Sequence, residues 1–334
     1  MITIKDIAKA CCVNPSTVSR ALNNQKGVSE DLKEKILNTA KELSYLKISD
    51  RNQVSEEQNM IGLILPDITN PYFAFIANGV SLFFEEKNYS IILCNTGRNK
   101  QTEKRFIEML CASKVKGVII LSVTATEEDL KPFFDLGIKV VCLDNPISKK
   151  ISCVTNDNYS GVCDLINHII SPEVNAKRLA LLMGPPNVFT NKERLRACID
   201  TLEAAGKSDI LLETKYIKPT YEEAYKVAPE LLEKKPDTIF AINDTVALGV
   251  IRYCHDHNIR VPQDLKIAGY DDIPAGATMW PPLTTVHQRK TTLGIHAASL
   301  LLQHINDPSM STKKIELFPK LIKRESLGEK KQTL

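Results

Sequence analysis

Residues 3–23, with the sequence TIKDIAKACCVNPSTVSRALN, decide the fold of the amino-terminal part of this chain. Thr3 and Asp6 have the spacing of a capping box, in which each side chain satisfies a backbone N–H of the other residue, and this predicts a helix that runs through Cys11. The following segment, Cys11-Cys12-Val13, is then a tight turn.

A second helix is predicted directly after this turn. Asn14 supplies an oxygen for the N-cap, and Pro15 suits the first helical position because it has no N–H to leave unpaired. Ser29 begins a third helix, whose first turn carries acidic residues that favour its dipole. Two helices joined by a short turn and braced by a third form a helix-turn-helix unit. The inward positions are Val18, Ala21 and Leu22 in the second helix and Leu32, Ile36, Ala40 and Leu43 in the third.

The composition is that of a globular protein with about two folding units. The 334 residues are 43% hydrophobic and 25% charged, which excludes a disordered chain. With 43 basic and 40 acidic residues the net charge is only +3, so the charge neither favours nor excludes a nucleic-acid partner. The nine cysteines contain no Cys-x-x-Cys, and we find no signal-peptide pattern and no apolar run of about 18 residues, so we expect a cytoplasmic protein without a membrane segment.

The chain changes character after the three helices. Residues 48–59 are polar and too short to fold alone, which predicts a linker between an all-α headpiece, residues 1–47, and a larger unit, residues 60–334. In the larger unit β-branched runs alternate with helix-length segments, which is typical of parallel sheets covered by helices. The pattern restarts near Arg178, which favours two doubly wound lobes over one large sheet. The predicted strands are 61–65, 90–94, 117–121, 139–143, 179–183, 238–242 and 266–269.

Polar and aromatic residues follow four of these strands, beginning at Asp67, Asp144, Asn243 and Tyr270. Parallel sheets bind ligands at the carboxyl ends of their strands. Carboxylates and amides can bind many hydroxyl groups, and aromatic rings offer flat apolar faces, so the set suits a polyhydroxylated ligand. For any one of these residues, a turn or a helix cap is an equally good explanation.

Eight motifs are spread along nearly the whole chain: TIKDIAKA at 3–10, PSTVSRALNN at 15–24, NPYF at 70–73, NDTVALG at 243–249, VPQD at 261–264, IAGYDD at 267–272, PLTT at 282–285 and PKLIKR at 319–324. Together they are similar to the LacI/GalR family of transcription regulators. The resemblance implies a DNA-binding headpiece, a hinge, and a periplasmic-binding-protein-like core whose two lobes close on an effector.

The resemblance implies that the second helix is the recognition helix, which begins at Asn14. Arg20 is expected to grip guanine O6 and N7, a contact worth about 1–3 kcal/mol of discrimination. Pro15 and Ser16 match positions that also face base edges, and a further set matches positions that contact phosphates and set the register. This phosphate set is Thr17, Ser19, Asn23 and Tyr45.

In the core, the resemblance places Arg194 beside Asp271 as a donor–acceptor pair for sugar hydroxyls. Asn145 and Asn156 favour a neutral polyol over a purine or a phosphate. The residues that match effector-contacting positions are Asn70, Tyr72, Phe73, Asp144, Asn145, Asn156, Arg194, Asn243, Asp271 and Gln288.

Two departures from the family pattern have consequences. Cys12 stands where many relatives have glycine, and if its φ is positive the cysteine costs on the order of 1 kcal/mol. The hinge of the family usually places a leucine in the minor groove, whereas this chain has Val54, a shorter wedge with acidic neighbours that oppose phosphate attraction. We therefore expect major-groove recognition to matter more than a kinked-DNA clamp.

The carboxyl-terminal tail has no leucine heptads, so we expect a homodimer. The two-fold symmetry of a dimer pairs two headpieces with two half-sites, so the double-stranded DNA operator should be approximately palindromic. We also expect a carbohydrate effector, and neither a cofactor nor a metal. Three alternatives remain open. The first alternative is an enzyme, but the sequence lacks the common catalytic motifs, and His255 and His257 suit a solvated helix end better than a metal site. The second alternative is a sugar-transport protein, which would need an export signal and would have no use for the headpiece. A regulator could instead answer to a sugar phosphate or a phosphorylated carrier protein, which a basic cluster in the pocket would favour.

Overall fold

The computed structural model describes residues 3–23, 25–43 and 59–328, and the chain divides into two compact units, residues 1–58 and 59–334. None of the helices in the described ranges has the length and apolarity that a membrane span requires. The elements of the first unit are α1 (Ile4–Cys11), α2 (Pro15–Leu22) and α3 (Glu30–Glu42).

The predicted caps define the starts of α1 and α2. The N–H of Thr3 donates to the carboxylate of Asp6 at 2.7 Å, and the side-chain oxygen of Asn14 accepts from the N–H of Ser16 at 3.2 Å. The three helices then bury one apolar face each against the others, which is how a unit of this size excludes water. The side chains at the centre of this core are Ile7, Val18 and Ile36, all fully buried.

Cys12 ends α1 in the left-handed conformation, with φ of 57°. The N–H of Val13 donates to the carbonyl of Ala8 at 2.9 Å, which closes the last turn and commits the backbone to this geometry. The expectation of a positive φ at this position is confirmed. A cysteine carries a steric penalty there that glycine would not.

The second unit begins with alternating strands and helices, as predicted. Each of these strands is parallel to its neighbours, so their carboxyl ends meet at one edge. The elements are β1 (Met60–Leu65), α4 (Pro71–Phe84), β2 (Ser90–Asn95), α5 (Lys100–Ala112), β3 (Gly117–Ile120), α6 (Lys131–Asp135), β4 (Lys139–Leu143) and β5 (Ser152–Asn156).

The chain then builds a second lobe on another parallel sheet. Its elements are α7 (Asn158–Ile169), β6 (Leu179–Met183), α8 (Phe189–Ala204), β7 (Leu211–Tyr216), α9 (Tyr221–Glu233), β8 (Thr238–Ala241), α10 (Asp244–Asp256), β9 (Lys266–Ala268), α11 (Pro274–Thr278) and β10 (Thr285–His287). The strand order of this sheet is β7-β6-β8-β9. The predicted restart of the strand pattern near Arg178 corresponds to β6.

The last segment returns to the first lobe. It contains α12 (Lys290–Asn306), β11 (Lys314–Leu317) and β12 (Lys320–Ile322). β11 completes the first sheet, whose order is β11-β5-β4-β3-β1-β2, and β12 pairs antiparallel with β10. The two-lobed parallel architecture is confirmed, but the sequence did not predict this return or the strands β5, β7, β10, β11 and β12. Several of these carry charged or polar side chains, so they lack the continuous apolar signal of a central strand.

α12 packs against α4 at two glycines. A Cβ on Gly79 would lie 2.1 Å from the carbonyl oxygen of Thr291, and a Cβ on Gly294 would lie 2.3 Å from that of Ile76. The two backbones are therefore in direct contact, and α12, which follows the crossover from the second lobe, is held against the helix that carries the first residues of the predicted effector site.

Replacement of Cys12 by glycine is expected to stabilise the first unit by about 1 kcal/mol, because glycine adopts the left-handed conformation without a Cβ clash. Cys12→Ala is the matched control, since it removes the thiol but keeps the Cβ. Hydrogen exchange of α1 and α2 amides in the full chain measures the effect. Equal protection in the glycine and alanine variants would contradict the steric explanation.

Gly79→Ala is expected to destabilise the second unit by about 1–3 kcal/mol, because the new methyl group meets a backbone oxygen that cannot move alone. Gly276→Ala is the control, because its Cβ would meet its nearest neighbours at an ordinary 3.5 Å. Urea unfolding followed by circular dichroism measures both. A loss of stability no greater for Gly79→Ala than for Gly276→Ala would show that the helices can separate without cost.

Candidate functional site

A cavity of about 70 Å³ lies where the carboxyl ends of strands from both sheets face each other. This is the edge at which parallel sheets bind ligands. Seven of the ten predicted effector residues line it, namely Asn70, Tyr72, Phe73, Asp144, Arg194, Asn243 and Asp271. Both lobes contribute, so a ligand in this cleft contacts the two sheets at once.

Two asparagines enter the cleft as helix caps. The side-chain oxygen of Asn70 accepts from the N–H of Tyr72 at 2.9 Å at the start of α4. Asn243 does the same for Val246 at the start of α10, also at 2.9 Å. In each case the cap uses the oxygen, and the amide NH₂ makes no hydrogen bond to a described residue. Each asparagine therefore has a fixed orientation and a donor left for a ligand.

Tyr72 and Asp144 form the polar floor of the first lobe. The hydroxyl of Tyr72 donates to one carboxylate oxygen of Asp144, and the other oxygen accepts from the N–H of Asn156 at 2.9 Å. Burial raises the pKa of Asp144 above its ordinary value, against the opposing effect of the Tyr72 hydrogen bond. Burial also raises the pKa of Tyr72, so its hydroxyl stays protonated and remains a donor.

Arg194 is the central cation of the second lobe, and its side chain is almost wholly buried. Its guanidinium stacks 3.7 Å from the ring centroid of Tyr270. Its Nε donates to Asn158 at 2.8 Å and one terminal nitrogen donates to the carbonyl of Ile242 at 2.5 Å. The other terminal nitrogen lies 3.5 Å from a carboxylate oxygen of Asp271. The predicted neighbourhood of Arg194 and Asp271 is thus present.

Asp271 faces the cleft from a strained loop, with φ of 109°. One of its oxygens accepts from the amide of Gln288 at 2.6 Å. Burial raises the pKa of Asp271 to about 6, and the charges of Arg194 and Lys290 limit the rise. At neutral pH the group is mainly a carboxylate, which can accept hydrogen bonds from ligand hydroxyls.

Three predicted effector residues lie behind this cavity and do not line it. Asn145 donates its amide to the carbonyl of Ser122 at 3.0 Å. Asn156 holds Asp144 and accepts from the N–H of Arg289 at 3.2 Å, and Gln288 orients Asp271. Their amides are engaged within the protein, and their expected contact with the effector stays a prediction.

The sequence analysis missed Arg98, which lines the same cavity from the loop after β2. Its Nε is buried, makes no hydrogen bond to a described residue, and lies 3.8 Å from a carboxylate oxygen of Asp67. The guanidinium carbon lies 5.7 Å from the ring centroid of Phe73. Nothing in the local sequence distinguishes this arginine from a solvated one, because only the tertiary structure brings the loop over the cleft. The remaining unpredicted lining residues are Leu121, Val123, Val188, Thr190, Asn191, Pro219 and Ile242.

The predicted DNA-contacting residues within the described ranges lie in α2 or directly beside it. Arg20 is exposed, and no described residue binds its guanidinium. Thr17 and Ser19 are half-buried, and the amide of Asn23 lies 3.4 Å from the hydroxyl of Ser19. Tyr45 and Val54 lie outside the described residues. The exposed members of the set are Asn14, Pro15, Ser16, Arg20 and Asn23.

Comparison with known proteins identifies both units. Residues 3–47 match the model of the bacterial regulatory proteins of the lacI family. Residues 58–325 match the model of the periplasmic binding proteins and sugar-binding domain of the LacI family. This chain belongs to the LacI family. Its relatives are transcriptional repressors and not enzymes, which agrees with the functional class predicted from the motifs.

Individual relatives are similar over their whole length. The ribose operon repressor of Halalkalibacterium halodurans is 33% identical over 98% of this chain and 97% of its own. A LacI family transcriptional regulator from Enterococcus faecium, solved with bound ribose, is 26% identical with a TM-score of 0.74 and covers 80% of this chain and 98% of its own. The transcriptional regulator CelR, solved with cellobiose, is 27% identical with a TM-score of 0.72 and covers 98% and 100%.

Asp244, the first residue of α10, is a buried acid next to the predicted effector residues of this LacI family core. One carboxyl oxygen accepts from the N–H of Ile273 at 2.8 Å, and the other accepts from the hydroxyl of Thr285 at 2.6 Å. Burial, and after it the negative charge of Asp271, raise the pKa of Asp244 to about 8. The carboxyl group is thus protonated in the folded protein at neutral pH.

The contribution of Asp244 to the free energy of unfolding is expected to fall as the pH rises from about 5 to about 8. The folded state keeps a proton on Asp244 in this window, whereas the unfolded state, with an ordinary pKa, has already lost it, and stability falls with pH wherever the folded state binds more protons. Urea unfolding over this range should show a shallower slope for Asp244→Asn. Asp264→Asn is the control, because pairing with Arg260 lowers the pKa of Asp264 to about 2 and removes it from this window. Equal slopes in wild type and Asp244→Asn would contradict a protonated Asp244.

Proposed function

We propose that this LacI family member is a homodimeric transcriptional repressor whose operator affinity is set by one neutral monosaccharide, a pentose of the ribose type, bound in the cleft between the lobes. Residues 1–47 bind the operator, residues 48–59 connect the units, and residues 60–334 bind the sugar and dimerise. The protein acts in the cytoplasm, where its DNA target is. The observation that carries the proposal is a small cleft whose lining combines two guanidinium groups with two carboxyl groups and adds the amides of two asparagines.

The charge balance favours a neutral ligand. The cavity is lined by two guanidinium groups, Arg98 and Arg194, and two carboxylates, Asp144 and Asp271. A site for a phosphate group would need more cations than carboxylates, and in this lining the two are equal in number. Hydroxyl groups, in contrast, can donate to the carboxylates and accept from the guanidinium groups and from the free amides of the capping asparagines.

The dimensions favour a monosaccharide. The cavity of about 70 Å³ is several-fold smaller than drug-sized pockets of about 300–1,000 Å³. The rings of Tyr72 and Phe73 meet edge to face with their centroids 5.3 Å apart, and supply the apolar surface against which the carbon face of a sugar ring packs. Of the sugars found in similar structures, ribose fits this size better than cellobiose.

Repression is linked to the sugar by differential affinity. A sugar that weakens operator binding a hundredfold must bind the DNA-bound protein a hundredfold more weakly, which is about 2.7 kcal/mol. Because the cleft takes residues from both lobes, the sugar can favour one lobe angle over another, and this is the differential contact that the linkage requires.

A thermal-shift titration of the full chain tests the effector. Ribose is expected to raise the melting temperature, and Asn243→Asp is expected to weaken ribose binding about tenfold or more, because it keeps the capping oxygen but removes the donor. Asn99→Asp is the matched control, since Asn99 caps α5 through the N–H of Thr102 at 2.9 Å, outside the cleft. A response confined to xylose, glucose or cellobiose would move the assignment to that sugar. A response confined to sugar phosphates would overturn the neutral-ligand proposal.

Arg20→Ala tests the recognition helix. We expect it to relax base preference at one symmetric pair of operator positions, at a cost of about 1–3 kcal/mol on the preferred base. Binding to a randomised DNA library, followed by sequencing, measures this, with Arg105→Ala in the second unit as the control for loss of charge. Full retention of sequence discrimination by Arg20→Ala would remove Arg20 from base recognition.

A further inference from the structure

A second cavity adjoins the effector cleft. Its volume is about 350 Å³, and it lies beside the crossover into α12. Asp271 lines the effector cleft, whereas the next residue, Asp272, lines this second cavity. We call it the crossover pocket. Its lining residues are Phe75, Asp272, Ile273, Pro274, Ala277, His287, Gln288, Arg289, Lys290, Thr291, Thr292 and Arg324.

The crossover pocket, unlike the effector cleft, has an excess of positive charge. Arg289, Lys290 and Arg324 line it, against a single carboxylate, Asp272. Three positive charges, on Arg289, Lys290 and Arg324, minus the one negative charge of Asp272 give these four groups a formal net charge of +2. Lys290 is only 6% exposed, so part of this charge is buried, where an anion is screened little by solvent.

The single carboxylate cannot neutralise the remaining cations. One oxygen of Asp272 lies 2.8 Å from Nδ1 of His287, and the other accepts from Arg324 at 2.7 Å. Arg289 makes one long bond, 3.2 Å from its Nε to the carbonyl of Phe318. Its terminal nitrogens therefore keep their donors, and they are arranged as the planar fork that suits phosphate oxygens.

We propose that the crossover pocket binds a small phosphate monoester, with its phosphate group on the terminal nitrogens of Arg289, while Arg324 keeps its bonds to Asp272 and to the carbonyl of Leu283. The hydroxyl groups of Thr291 and Thr292 add uncharged donors. The ring of Phe75 and the Pro274 side of the pocket offer apolar surface for a short carbon skeleton. The volume exceeds that needed for inorganic phosphate alone, which is why an ester is assigned.

The pocket is connected to the effector cleft through one lysine and one glutamine. Nζ of Lys290 donates to the carbonyl oxygens of Asp271 and Asp272. Gln288 bonds Asp271 and lies 3.4 Å from the hydroxyl of Tyr72. An anion that attracts Lys290 changes the support of Asp271, and so changes the affinity of the effector cleft. This coupling rests on the proposed sugar effector, whereas phosphate binding itself does not.

Calorimetric titration of the full chain without sugar tests the binding. Glycerol 3-phosphate and inorganic phosphate are the probes, and sulfate at matched ionic strength is the comparator. We expect saturable binding of one glycerol 3-phosphate per chain, weakened about tenfold or more by Arg289→Gln and partly restored by Arg289→Lys, as for loss of a charge-assisted hydrogen bond. Arg105→Gln, an exposed arginine outside both cavities, should leave the affinity within about twofold, as a surface charge far from the site does.

The outcomes separate the two proposals. One outcome is an adventitious ion only. Glycerol 3-phosphate would then bind with the same affinity to the Arg289→Gln and Arg105→Gln variants, and sulfate would compete equally well, which would overturn the crossover pocket as a site. Asn243→Asp, which disables the sugar response, should keep phosphate binding, so failure of the sugar proposal leaves this one standing. Coupling is supported if glycerol 3-phosphate shifts the ribose dissociation constant in the wild type but not in Arg289→Gln. An unchanged ribose affinity would overturn the coupling.

Discussion

The buried guanidinium of Arg194 is the interaction on which the effector cleft depends. A charge taken out of water is costly unless every side of it meets a compensating group. Here one face stacks on Tyr270, Nε and a terminal nitrogen bind Asn158 and Ile242, and the remaining edge faces Asp271. These partners come from three different segments of the second lobe, because Tyr270 and Asp271 are neighbours in the chain. The cation therefore holds the strand ends in place while presenting the edge that a ligand shares with Asp271.

The balance between basic and acidic side chains distinguishes the two cavities. In the effector cleft, acids and arginines are matched, and their pairing within the protein leaves hydrogen-bonding capacity without net charge, which is what a sugar requires. In the crossover pocket, the only carboxylate is already engaged by His287 and Arg324, which leaves an excess of positive charge. Adjacent residues, Asp271 and Asp272, thus serve environments of opposite chemical preference, and the loop between them is where the two would communicate.

Backbone contact inside the first lobe joins the two helices that begin beside the cleft. The glycines at 79 and 294 bring α4 and α12 close enough that neither can shift without the other. α4 begins at the capping residue Asn70, and α12 begins just after Gln288, so a displacement at the cleft reaches the body of the first lobe through rigid elements. A repressor of the LacI family needs such a connection, because a ligand contact that stays local cannot change affinity for an operator.

The sequence by itself determined the elements whose signals are local. Residues such as Thr3, Asn14 and Ser29 mark helix starts, apolar runs mark the central strands, and the family motifs identify both units. The tertiary structure alone decided which side chains share a cavity. Arg98 lines the cleft although no local sequence signal predicts it. Asn145 and Gln288 donate their amides to protein partners. β11 pairs with β5 in the first sheet although the two strands are far apart in the sequence. The physical reason is that a cap or an apolar run is satisfied by near neighbours, whereas charge pairing and sheet order depend on residues that only the complete fold brings together.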